Sequence, residues 1–216
     1  MDERHFTLAA SVVLLTLLAL IGRLIYILPS CHNTFGYPQK SAATSKSVLI
    51  LLGSGGHTGE MIRILRQFEQ FDLLKRQYAV ANSDETSLAS IRSLEESPSV
   101  VTIPRARNIG EGKLSAFFRS SRAFLSTFLL FASMRQYPDV FLCNGPGTAI
   151  PIAYVLFFFK YLGCCRTKII YVESLARVND LSLTGKLILP IADRMLVQWS
   201  QLAKKYKRCE YYGILV

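Results

Sequence analysis

Val48-Leu49-Ile50-Leu51-Leu52-Gly53-Ser54-Gly55-Gly56-His57-Thr58-Gly59-Glu60 decides how the rest of the chain is read. A short aliphatic run stops at glycine, and a helical pattern succeeds it, so the order is strand, glycine loop, helix start. That geometry turns backbone N–H groups and the positive end of a helix dipole toward one point, which suits an anion. Glycines let the backbone approach a diphosphate with no side chain in the way. The loop is not a Walker A motif, because it contains no Gly-Lys-Ser/Thr. It also departs from the dinucleotide fingerprint, since Thr58 stands where the third glycine belongs. The plainer reading is a tight strand-to-helix turn with an incidental glycine cluster.

Outward from this loop, short apolar runs alternate with helical stretches. Strands are expected at Ser47–Leu52, Tyr78–Ala81, Val100–Ile103, Val140–Cys143, Lys168–Val172 and Arg194–Val197. Helices are expected near 59–71, 85–95, 113–135, 149–162, 184–191 and 200–206. The alternation predicts an α/β fold, a single Rossmann-like domain over 47–216 with a parallel sheet and helices on both faces. Ligands of such sheets sit outside the carboxyl ends of the strands. Gly53–Glu60, Asn144–Thr148 and Glu173-Ser174 all fall there.

The chain has 216 residues, half of them apolar, with 25 Lys+Arg against 15 Asp+Glu and a formal net charge of +10. This composition excludes disorder as the main state. Five cysteines with no CxxC spacing exclude a disulfide scaffold and indicate reduced thiols. The positive charge fits an anionic membrane surface or a phosphorylated substrate. It carries no RNA-module signature, so no nucleic-acid partner is expected.

Before the domain, residues 6–28 form an apolar stretch broken only by Arg23, long enough to cross a bilayer as a helix. A cleaved signal peptide is the rival reading. Asp2 and Glu3 at the start, and the length of the stretch, favour an anchor instead. Arg23, Lys40 and Lys46 on one side against Arg4 on the other place the domain in the cytosol. Residues 29–46 are small and polar and read as a tether. Two later apolar segments bear on the membrane as well. Ala149–Phe159 is too short to cross. Lys113–Arg135 reads either as a crossover helix buried on the sheet or as a basic aromatic helix resting on the bilayer.

His57 is the only imidazole of the predicted domain, since His5 and His32 lie in the anchor and tether. Beside a bound phosphate it is positioned to hold the anion or to take a proton from an attacking hydroxyl; a purely structural histidine is the alternative. There is no second histidine or paired cysteine for a metal site. Asn144-Gly145-Pro146-Gly147-Thr148 reads as a turn with Thr148 capping the next helix, or as a second ligand loop. Glu173 closes an apolar strand, either as a solvated strand-end acid or as a second candidate for the base. Arg105 and Arg107, after the third strand, read as surface charges in preference to phosphate ligands.

With these motifs in order, together with Tyr171-Val-Glu-Ser174, Val197-Gln-Trp199 and Tyr212-Gly-Ile-Leu-Val216, the chain resembles a known family. This is the membrane-anchoring subunit of the N-acetylglucosaminyltransferase that adds the second sugar to dolichyl diphosphate. The glycine loop is also similar to that of the bacterial enzyme that moves the same sugar to a lipid-linked muropeptide. The resemblance implies the acceptor half of a GT-B glycosyltransferase split over two polypeptides. Its partner would be a soluble catalytic subunit that binds UDP-N-acetylglucosamine. The implied reaction is transfer of N-acetylglucosamine to N-acetylglucosaminyl-diphosphodolichol, with inversion and with no cofactor or required metal, on the cytosolic face of the endoplasmic reticulum membrane. It implies His57 or Glu173 as the catalytic base. Gly53, Ser54, Gly55, Gly56, Thr58, Asn144, Gly145, Gly147 and Thr148 would surround the acceptor diphosphate. Tyr212, Gly213, Leu215 and Val216 would dock the partner, with Ile214 where a basic residue is expected. Two other readings remain open: an anchor and receptor that contributes no catalytic group, and an anchored nucleotide-dependent oxidoreductase.

Overall fold

The computed structural model describes residues 3–31, 46–68, 71–82, 84–104 and 113–216. Most of the expected tether, and Arg105 and Arg107, lie outside the described residues.

The strands are β1 (Ser47–Leu52), β2 (Lys75–Ala81), β3 (Val100–Ile103), β4 (Val140–Asn144), β5 (Lys168–Val172), β6 (Arg194–Val197) and β7 (Cys209–Tyr211). All neighbours pair in parallel, in the order β3-β2-β1-β4-β5-β6-β7. The helices are α1 (Glu3–Ile27), α2 (Gly56–Arg66), α3 (Glu85–Arg92), α4 (Lys113–Ala132), α5 (Ala149–Leu162), α6 (Leu183–Ile188) and α7 (Ser200–Lys205). Two differences from the sequence reading are instructive. α2 starts at Gly56, so the glycines belong to the helix mouth itself. β7 is a short edge strand whose three residues carry no alternation to detect.

Strand alternation divides the core in two. Leu49, Leu51, Phe141, Ile169, Tyr171 and Met195 point to one face and are covered by α4, α5, α6 and α7. Val48, Ile50, Leu52, Tyr78 and Val80 point to the other and meet α2 and α3 through Met61, Leu65 and Ile91. Those two helices reach only the β1–β3 half. Over β4–β6 the same face is an apolar groove of about 460 Å³ lined by Val140, Leu142, Ile170, Val172 and Leu196, with Leu215 folding back into it.

α5 is apolar almost all round because it lies between the sheet and its helical neighbours, with Ile152, Ala153 and Leu156 fully buried. α4 has one buried and one exposed side, as a crossover helix on the sheet does. Ala123, Thr127 and Phe131, four residues apart, face the core, while Leu125 and Leu129 face outward. α1 is long and apolar enough to cross a membrane over Thr7–Ile27, with residues 7–26 exposed. Its end is fixed to the domain: Ile27 and Leu28 pack on the larger core, and the Tyr161 hydroxyl donates to the Leu20 carbonyl at 3.2 Å.

Candidate functional site

The order of strands reverses between β1 and β4, and the crevice opens at their carboxyl ends. The loops after β1 and β4 interlock there. A Cβ on Gly53 would lie 2.6 Å from the Pro146 ring, and one on Gly145 would lie 2.0 Å from the His57 imidazole. Each glycine therefore makes room for a ring from the opposite loop. Gly145 also has φ +37, and Gly55, just ahead of α2, has φ +68. The Asn144 amide donates to the His57 carbonyl at 2.8 Å and ties the two loops together.

The resulting mouth exposes Ser54, Gly55, Gly56 and Gly147. The first N–H groups of α2 have no preceding turn to bond, and no acidic side chain occupies its first turn. Thr58 faces inward: its hydroxyl donates to the Gly53 carbonyl and meets the Ser87 hydroxyl at 2.6 Å. Thr148 occupies the cap position of α5 without a side-chain capping bond, and the turn closes through backbone bonds to Pro146 and Gly147.

His57 is the ionisable group of this mouth. Its Nδ1 lies 3.5 Å from Oε2 of Glu60, and the two side chains are 35 % and 16 % exposed. Both atoms are buried and lack a hydrogen-bond partner, as does Oδ1 of Asn144. The exposed part of the imidazole is therefore the remainder of the ring. The other oxygen of Glu60 is held firmly, accepting from Ser174 Oγ at 2.8 Å and Leu175 N at 3.1 Å. Glu60 was not singled out from sequence as a site residue. The available signal was its spacing, since three residues after His57 on a helix it shares that residue's face.

Glu173 lies at the end of β5 and is fully buried. One oxygen accepts from Ser174 N at 3.1 Å; the other accepts from Ser182 N at 2.9 Å and Ser182 Oγ at 3.0 Å. A Cβ on Gly185 would strike that second oxygen at 2.4 Å, so α6 packs directly over the carboxylate. Burial, and after it the Glu173 charge, hold the Tyr171 phenol above its ordinary value. Gln198 joins this loop to the C-terminal tail: it donates to the Glu173 carbonyl at 3.2 Å and accepts from Leu215 N at 3.0 Å. Gln67 of the α2 end donates to the Leu215 carbonyl at 3.0 Å. Tyr212 is exposed at the sheet edge, where its hydroxyl meets Arg194 and Glu210 at 2.8 Å each, and Gly213 turns the chain at φ +94. Among the described residues no cluster of His, Cys, Asp or Glu could hold a metal ion.

Known proteins share this fold. The chain aligns with MurG of Acinetobacter baumannii at a TM-score of 0.55 and 13% identity, covering 77% of this chain and 45% of that one. It aligns with the glycotransferase of kitacinnamycin at 0.52 and 13%, covering 79% and 52%. Such neighbours show that the domain has the fold of one half of a GT-B protein, and the chain spans about half their length. In sequence it is 42% identical to the UDP-N-acetylglucosamine transferase subunit ALG14 of Debaryomyces hansenii, covering 97% of both chains. With the subunit of that name in Mus musculus it shares 34% identity over 90% of this chain and 94% of the relative. The model of the family described as "Oligosaccharide biosynthesis protein Alg14 like" matches residues 48–215, which take in all of the sheet but Ser47 and both loops of the crevice. This chain belongs to the Alg14 family.

Proposed function

We propose that the chain is the membrane-anchored subunit of a two-chain UDP-N-acetylglucosamine transferase in dolichol-linked oligosaccharide synthesis. It would hold the lipid acceptor, N-acetylglucosaminyl-diphosphodolichol, while a soluble partner holds UDP-N-acetylglucosamine. The names of its relatives support the sugar nucleotide and the word subunit. Its single sheet, about half of a GT-B enzyme, supports the need for a second chain. Residues 6–28 would be the span, 29–46 the tether and 47–216 the domain, on the cytosolic face of the endoplasmic reticulum.

The observation that carries a catalytic reading is the His57–Glu60 pair at the crevice mouth, with both facing atoms buried and unbonded. In this mechanism the acceptor hydroxyl attacks the anomeric carbon of the donor sugar as the bond to UDP breaks. His57 takes the hydroxyl proton on its exposed side, and the Glu60 carboxylate stabilises the imidazolium that forms. Direct attack inverts the anomeric centre. The N–H groups of Gly55 and Gly56 and the start of α2 hold the acceptor diphosphate, with Ser54 and Gly147 at the rim. Gly53, Thr58, Asn144, Gly145 and Thr148 shape the two loops. Glu173 keeps the β5–α6 loop in place, and through it the grip on Glu60.

A receptor reading also has support, from the apolar groove over β4–β6. Leu215 lines it, held by Gln67 and Gln198, within the tail whose Tyr212, Gly213, Leu215 and Val216 would meet the partner. This is where the partner would dock. The experiment is transfer of labelled N-acetylglucosamine to a short-chain acceptor by membranes carrying this chain, with and without its matched soluble subunit. Activity is expected only with both. A verified complex without activity would overturn the transferase reading.

A further inference from the structure

Gln198 and Trp199, the two residues after β6, take no part in the mechanism above, yet both grip the loop that holds Glu60. Leu196 lines the groove side of the sheet, and Gln198, two residues on, meets Leu215 on that side. Trp199 packs against the larger core on the opposite side. From these two positions Gln198 donates to the Glu173 carbonyl at 3.2 Å, and the Trp199 indole N–H donates to the Leu175 carbonyl at 2.7 Å. The loop after β5 is thus pinched from both faces of the sheet.

The bonds form a chain that ends at the crevice. Gln198 is 1 % exposed, and its oxygen accepts from Leu215 N at 3.0 Å, which turns its N–H groups toward Glu173. Glu173 N in turn donates to the Leu196 carbonyl at 2.8 Å, so both main-chain groups of Glu173 are tied to the end of β6. Leu175 is held on two sides. Trp199 takes its carbonyl, while its own N–H donates to Oε1 of Glu60 at 3.1 Å, beside the bond from Ser174 Oγ at 2.8 Å. Among the described residues, these two bonds from the β5 loop are the hydrogen bonds that hold Glu60. Its free oxygen then stands 3.5 Å from Nδ1 of His57. A side chain fixed by a loop is placed only as well as the loop itself, and a misplacement of an ångström is felt in the rate.

We infer that Gln198 and Trp199 are positioning residues for the His57–Glu60 pair: by pinning the β5 loop they make Glu60 face the imidazole. The effect on turnover rests on the catalytic reading of that pair; the geometric effect does not.

The test uses the full chain in phosphatidylcholine nanodiscs, with His5→Gln and His32→Gln so that His57 is the only imidazole. Trp199→Phe keeps an aromatic ring and removes the donor. Gln198→Met keeps the length and removes donor and acceptor together. Gln201→Ala is the control, because exposed Gln201 donates to the Val178 carbonyl of the same loop at 3.0 Å, beyond the residues that bond Glu60. Three quantities are read: the ring ¹⁵N resonances of His57, amide exchange at Leu175, and steady-state transfer with the soluble partner added. In Trp199→Phe and Gln198→Met, exchange at Leu175 is expected to be about 10-fold faster and the His57 resonances displaced. Turnover should show kcat about 10-fold lower, with KM for donor and acceptor within about twofold of wild type. Gln201→Ala should match wild type in all three. Trp199→Phe, at a half-buried position, keeps the test open should Gln198→Met fail to fold. Unmoved His57 resonances with unchanged Leu175 exchange overturn the inference, whatever the turnover. A response to Gln201→Ala as large as that to Trp199→Phe also overturns it, since any loosening of the loop would then suffice. A raised KM with kcat unchanged assigns the two residues to substrate binding and overturns it too. Displaced resonances with normal turnover bear out the positioning and overturn the catalytic reading of the pair.

Discussion

Two ionisable side chains stand at the carboxyl ends of parallel strands in this domain, and their surroundings differ sharply. Glu173, after β5, is sealed under α6 with three donors on its carboxylate. His57, after β1, keeps a third of its surface open and faces a carboxylate oxygen that no donor satisfies. A buried group whose bonding capacity is filled by its own loop stabilises structure. A group at a crevice mouth with its partner unbonded is poised for chemistry that arrives with a ligand. The difference arises from how each strand end is covered: α6 closes over Glu173, whereas Gly145 leaves a flat bed on which the imidazole lies at the surface.

The sharpest way to break this contrast is His57→Ala. In the assembled transferase, turnover is expected to fall by about 10²–10⁴-fold, the usual range for losing a general base. The thermal midpoint should move little, because the ring is partly exposed and Asn144 bonds the backbone carbonyl of residue 57. Steady-state transfer and a melting curve on the same preparation check both halves; normal turnover would leave only the receptor reading.

Glu173→Gln reverses the pattern. The amide directs N–H groups at the Ser182 or Ser174 donors, leaving buried groups mispaired at a cost of about 2–3 kcal/mol. Denaturant unfolding should register that loss. Transfer per folded molecule, measured well below the midpoint, should change little. A large fall in turnover without loss of stability would move the catalytic role to Glu173.

How far the sequence revealed this contrast depends on how local the cause is. Parallel strands buried on both faces read as continuous apolar runs, so Ser47–Leu52 and Lys168–Val172 were legible to the residue. The strand after Arg208 was not, because a three-residue edge strand with Glu210 on the uncovered face has no apolar signature. The glycine–histidine loop was legible as a strand-to-helix mouth. Glu60 was not, since its hold comes from Ser174, 114 residues away. The steric duties of Gly53 and Gly145 were equally hidden, because the rings they admit come from the opposite loop. Nothing in sequence distinguished an open strand-end acid from a sealed one at Glu173; that depended on where α6 would pack.

Glu60→Gln sharpens the contrast with a smaller change. An amide oxygen still accepts from Ser174 and Leu175, so stability should hold, but the negative charge beside Nδ1 is gone. The imidazolium that forms in the proton transfer loses its stabilisation, and turnover should fall about 10-fold. Unchanged steady-state transfer would separate Glu60 from the chemistry.

The smallest expected effect comes from a third carboxylate at the opposite, amino-terminal edge of the sheet. Asp139 precedes β4 and accepts from Ser47 N and Ser47 Oγ, each at 2.8 Å, while its own N–H donates to Ser47 Oγ at 3.0 Å. The bond from the Ser47 backbone, and next that from its hydroxyl, hold the Asp139 carboxyl below its ordinary value. Like Glu173 it accepts several hydrogen bonds, here on one oxygen and from the start of the neighbouring strand β1; unlike Glu173 it is exposed to solvent. Because its folded pKa is lowered, its contribution is complete above the unfolded value and is lost as pH falls through the lowered one. Screening at an exposed site limits that contribution to about 1 kcal/mol or less. The stability difference between the wild-type chain and Asp139→Asn should therefore be constant near neutrality and close below about pH 3–4. Urea unfolding across that range measures it. A gap that stayed open in acid would mean that the neutral hydrogen bonds, not the charge, join β1 to β4, and that filling a carboxylate's bonds stabilises this sheet only where water is excluded, as it is around Glu173.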